Sequence, residues 1–196
     1  MPVLALPGSH DIPLFDLWTR LRSPYGRYSV EFGADLEPVH RSAELLLVCV
    51  NATRPWRHKD GEVSALQIDC VARLMEHAEL AQLRVVVHQP IAGTRAEDES
   101  NRLCGHTVAL RRWVEAGADL VIGGHIHLPY VMALQDLARP LWAVQAGTAV
   151  SSRLRKRCAE LGEPSALGRG CDARMLSDRA VGLRGRRPGF PARQGQ

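Results

Sequence analysis

No stretch of this 196-residue chain approaches the roughly 20 consecutive apolar residues that a membrane-spanning helix requires, although 45% of its residues are hydrophobic. A soluble chain with one globular core is expected. Paired cysteines are also missing. The five present (Cys49, Cys70, Cys104, Cys158 and Cys171) are odd in number, far apart and never in a CxxC pair. That excludes a zinc or disulfide framework and predicts cytosolic thiols, most of them filling the core. No basic segment precedes the apolar stretch at residues 3–6 and no small-residue cleavage site follows it. A secretory signal is therefore not expected, and a cytoplasmic location is. Internal repeats are absent from the first 150 residues.

A formal charge of +4 would ordinarily suggest an anionic partner, but the charge is unevenly spread. Residues 151–196 hold 11 Lys and Arg against 4 Asp and Glu, which leaves 14 against 17 in residues 1–150. A mildly acidic body thus carries a basic tail. The apolar periodicity fades at the same place, so residues 1–153 are expected to form the folded part and residues 154–196 a disordered tail. That tail has one aromatic residue, Phe190, and no pattern that would organise its arginines. Nonspecific phosphate contact is the most it could support, and no sequence-specific nucleic-acid binding is expected.

Within the body, short apolar runs at 3–6, 45–50, 83–87, 120–122 and 141–144 read as strands. Between them, Val63, Leu66, Cys70, Val71, Leu74, Met75 and Ala78 recur at three- and four-residue spacing, which predicts a helix over 63–78. Leu103, Thr107, Leu110 and Val114 form a second stripe that stops at Gly117. Leu14, Leu17, Trp18 and Leu21 suggest a further helix, for which Asp11 is a candidate cap. The alternation makes the body α/β.

Three of these runs end alike: residues 3–6 are followed by Pro7-Gly8-Ser9-His10-Asp11, the valines by His88-Gln89-Pro90, and 120–122 by Gly123-Gly124-His125-Ile126-His127. Loops leaving the carboxyl ends of strands are where α/β sheets assemble ligands. An extended backbone would aim His125 and His127 to opposite sides, whereas a tight turn could bring both onto one centre. Imidazoles suit zinc, iron, manganese or nickel. His10 beside Asp11 could act as a general acid with an orienting carboxylate. His40, His77 and His106 have no neighbouring ligand pattern. The polar loop from Asn51 to Gly61 could hold a phosphate-bearing substrate or simply link a strand to a helix.

PGSHDIPL, VVVHQP and GADLVIGGHIHLPYV, in that order, resemble the motifs of calcineurin-like metallophosphoesterases, in the bacterial branch that includes cyclic-nucleotide phosphodiesterase-like proteins. The resemblance spans about residues 3–153. It implies a four-layer α/β/β/α sandwich with a dinuclear centre of Mn, Fe or Zn type, and hydrolysis of phosphomonoesters or phosphodiesters by a metal-bound hydroxide. His88 and His125 match ligands of one metal, and His127 a ligand of the other. His10 matches the phosphate-contacting histidine of the GNH[DE] signature, with Asp11 orienting it. The implied substrate is a phosphate-ester small molecule or a cyclic nucleotide, with no membrane partner. Ser9 stands where the family has a metal-binding Asn, and the DxH and GD motifs that precede GNH[DE] in the family have no counterpart. A partial sandwich lacking its first strands and helices is the expected consequence, with a non-catalytic scaffold or interaction protein as the alternative role. Back-translation of residues 158–170 with freely chosen codons, read one nucleotide later, yields APNSVNRLRWDA, with Asn, Val and Trp of strand type, so a shifted reading frame is the expected origin of the tail.

Overall fold

The computed structural model describes residues 3–57, 60–78, 82–93 and 96–148. In chain order the elements are α1 (Leu17–Arg22), α2 (Gly26–Phe32), β1 (Val39–Arg41), β2 (Leu45–Val50), α3 (Ala65–Glu76), β3 (Gln82–Val87), α4 (His106–Glu115), β4 (Leu120–Gly123), β5 (Tyr130–Leu134) and β6 (Leu141–Gln145). Short 3-10 turns cover Ser9–Asp11 and Ala96–Asn101. Six strands form one sheet in the order β1-β2-β3-β4-β6-β5. The four inner strands are parallel, and β1 and β5 close the edges antiparallel to their neighbours.

The inner strands are the apolar runs read from the sequence, each within about a residue of its expected bounds. Their order rises monotonically across the sheet, so right-handed crossovers place α3 and α4 on the same face. Side chains alternate accordingly. Leu46, Val48, Val50, Val85, Val87, Val121, Leu141 and Ala143 turn towards these helices and are buried, whereas Leu45, Leu47, Ile122, Trp142 and Val144 on the other face are only partly covered. From the helices, Ile68, Val71, Ala72 and Met75 meet Ala109, Leu110, Trp113 and Val114 in the same core. The Trp113 indole, wholly buried, donates from Nε1 to the Ile68 carbonyl at 3.2 Å.

Both long helices carry their punctuation in the sequence. At the start of α3 the Ser64 hydroxyl accepts from the Gln67 backbone N–H, while the Gln67 side chain accepts from the Ser64 N–H, a reciprocal cap that satisfies two amides the helix leaves over. At the end of α4, Gly117 takes φ +107°, its N–H donates to Val114, and that of Ala118 reaches back to Trp113 at 2.8 Å. This pair of bonds is a Schellman stop, available because glycine pays no Cβ penalty at positive φ.

Several expectations need correction. Residues 3–6 form no strand. They run unpaired, with Val3 83% exposed. Leu66, Cys70 and Thr107 lie outside the core: α3 turns positions 68, 71, 72 and 75 to the sheet, leaving Leu66 and Cys70 in solvent. Of the cysteines, Cys49 is buried, Cys104 half-buried and Cys70 exposed, while Cys158 and Cys171 fall outside the described residues. Helix α1 is capped by Asp16, whose carboxylate accepts from the Thr19 N–H at 3.0 Å, and not by Asp11. The tail and its proposed origin also lie outside the described residues. No helix among the described residues is long and apolar enough to cross a membrane.

Candidate functional site

Because the four inner strands are parallel, their carboxyl ends share one edge of the sheet, and three of the loops that carry chemistry leave from it. Strand β3 delivers His88, β4 delivers the Gly124–His127 turn, and these strands are direct neighbours. The Gly124 N–H donates to the His88 carbonyl at 2.9 Å, tying the two loops together just beyond the last strand residues. The result is that His88 Nε2 and His125 Nδ1 stand 3.3 Å apart, with the rings edge to face.

The GGHIH segment turns sharply. His125 and His127 have φ of 73° and 57°, in the left-handed region that costs a side chain with a Cβ about 1–2 kcal/mol each. The Ile126 N–H donates to the Gly124 carbonyl at 2.9 Å, a two-residue span closed across His125 as in the rare γ-turn with positive φ. Ile126 and Leu128 are buried between and beyond the two histidines and anchor the turn in the protein. Strain of this kind persists where the surroundings over-determine it. Buried Gln145, at the end of β6, supplies part of that determination by donating from Nε2 to the Gly124 carbonyl, and the Ala146 N–H bonds the Gly123 carbonyl at 2.8 Å.

The loop before α1 completes the cluster. Asp11 closes its 3-10 turn by accepting from the Gly8 N–H at 2.7 Å. Gly8 then lies flat on the His88 imidazole: a Cβ there would stand 2.9 Å from Cε1 and 3.2 Å from Nε2. Burial lowers the His88 pKa to about 4, and the charges of His125, His10 and His127 push it the same way. The structure therefore brings His88 and His125 into contact and sets His10 and His127 near enough for their charge to act on His88. The Asp11 carboxylate is seen bonded to the Gly8 backbone, and Ser9 is half-buried in the same turn. His77 and His106 bond backbone carbonyls of Arg73 and Leu103 at helix ends.

The loop after β2 is largely occupied with its own structure. Asn51 Oδ1 accepts from the Thr53 N–H and hydroxyl, and Arg54 spans the Asn51 and Thr53 carbonyls and the Gln67 side chain. Arg57 pairs with Glu62 at 2.9 Å. Asn51, Thr53, Arg54 and Gln67 border an open polar groove of about 430 Å³ that also includes Tyr25 and Glu37. Gln145 was not marked by any sequence pattern, and Gly8 stood in one without a role of its own. A glutamine ending an otherwise apolar strand, as Gln145 does, is the one signal that could have singled out its role. No protein-family model matches this chain, and a search of curated proteins returns no match either.

Proposed function

We propose that this chain is built as a metal-dependent phosphoesterase, with His88, His125 and His127 as metal ligands and His10 directed at the phosphate of a monoester, diester or cyclic nucleotide. The 3.3 Å separation of His88 Nε2 and His125 Nδ1 supports this most directly. Two nitrogens each about 2.0–2.1 Å from one tetrahedral ion stand about 3.4 Å apart, so these imidazoles already have the spacing of adjacent ligands. Burial keeps His88 in the neutral form that binds metal. Among the described residues no group of three His, Cys, Asp or Glu side chains comes together, so they contribute part of a ligand set. A metal held there would supply Lewis-acid polarisation of the phosphoryl oxygens and acidify a water.

The protein's own part is positioning. The strained turn presents His125 and His127 with little freedom to rearrange, and the Asp11-closed turn presents His10 at the same edge. His10, exposed on that turn, is placed to give a proton to the departing oxygen. Metal analysis of the purified protein, combined with hydrolysis of p-nitrophenyl phosphate and bis-p-nitrophenyl phosphate, tests the proposal. Bound metal and turnover, both lost in His125→Ala, are expected. Neither metal nor turnover in the wild type would refute the proposal and leave a non-catalytic scaffold that serves in protein interaction.

A further inference from the structure

Helix α1 is folded inside out. Leu14, Leu17, Trp18 and Leu21 follow the i, i+3, i+4, i+7 spacing that normally marks a core-facing stripe, yet they are 50%, 66%, 70% and 81% exposed. The only buried side chain on the helix is Arg20, whose guanidinium donates to the carbonyls of Pro55, Pro13 and Arg57. These bonds fix the helix with its apolar stripe outward. Phe15, 92% exposed, extends the stripe, and Trp56, 72% exposed, sits between the two loop carbonyls that hold Arg20.

We propose that this face is the contact between two copies of the chain, with α1 packed antiparallel on the partner's α1 about a twofold axis. Three observations favour a second copy. Leu17 and Leu21 lie one turn apart on the stripe, so an antiparallel pair sets each Leu17 against the partner's Leu21 across the axis. The face is thus complementary to itself, as a twofold contact demands. Its area is also appropriate: taking about 200 Å² for a whole aromatic side chain, Phe15, Trp18 and Trp56 alone expose about 450 Å². The three leucines and a polar rim bring this near the roughly 800 Å² per partner of a standard interface. Exposed Trp flanked by Arg, with Arg22 over the Trp18 ring at 5.7 Å, is finally the composition of an interface centre.

Sedimentation of the full chain from about 1 to about 100 µM, a range that spans common affinities for interfaces of this size, tests the proposal. A concentration-dependent species of about 43 kDa, twice the 21.6 kDa chain, is expected. Leu17→Asp and Leu21→Asp should each weaken the dimer at least about 100-fold, and both residues are exposed, so folding is spared. A monomer throughout the range, or a dimer indifferent to Leu21→Asp, would overturn the proposal. A monomer that binds phosphatidylcholine vesicles would also overturn it, by assigning the face to a lipid surface.

Discussion

Replacing Gly8 with alanine should disturb the candidate site through one methyl group. The new Cβ would stand 2.9 Å from His88 Cε1, 3.2 Å from Nε2 and 3.3 Å from Nδ1, whereas carbon atoms settle at about 3.5–4.0 Å. Ring and loop must therefore separate by about 0.6 Å or more. The imidazole has little room to retreat: His88 is largely buried, its carbonyl is held by Gly124 and its Nε2 faces His125 at 3.3 Å. Overpacking of this kind costs about 1–3 kcal/mol. With His88 as the metal ligand proposed above, moving it by a substantial fraction of an ångström through its supporting contact should weaken metal binding about 10–100-fold. Urea unfolding in chelator reads the first effect, and zinc titration by calorimetry the second. Gly147→Ala is the control, since its Cβ meets only ordinary contacts at 3.6 Å on Pro129. Equal stability and equal zinc affinity in wild type and Gly8→Ala would refute the packing of Gly8 on His88.

Three further outcomes follow from the same geometry. The unfolded chain protonates His88 near pH 6.5 and the folded chain only near 4, so the folded state should lose about 3 kcal/mol as pH falls through that window and nothing above it; urea midpoints in chelator should show this fall in the wild type but not in His88→Gln, and parallel profiles would refute it. Gln145→Leu removes one of the two donors to the Gly124 carbonyl at similar volume, the Ile126 N–H remaining, and should cost about 0.5–1.5 kcal/mol, together with weaker zinc binding in the same titration. Trp113→Ala should cost about 3–5 kcal/mol in urea unfolding, because a wholly buried ring and its bond to Ile68 are both lost between α3 and α4.

Much of the architecture was legible because its signals are local. Runs such as LLLVCV and VVV read as buried strands, since parallel strands covered by helices need little polar alternation. Gly117 marked a helix end through backbone chemistry that acts within a few residues. Edge strands β1 and β5 were not legible. β1 is three residues of mixed character, whereas β5 is an apolar run as long as β6, and both pair only because β2 and β6 present free edges to them. The stripe on α3 was misread for a related reason. Leu66 and Cys70 satisfy helical spacing as well as Ile68 and Ala72 do, and only the sheet decides which side faces inward.

The sequence by itself determined the α/β class, the inner strands and the set of histidines that end them, because propensity, periodicity and caps depend on neighbours in the chain. Tertiary structure alone decided that β3 lies beside β4, and so that His88 meets His125. It alone seated Gly8 on the imidazole, bound Gln145 to Gly124 and turned the stripe of α1 outward by burying Arg20. These outcomes rest on contacts between residues tens of positions apart, which no local pattern encodes and which form only when strand order and the parallel direction of the sheet are set.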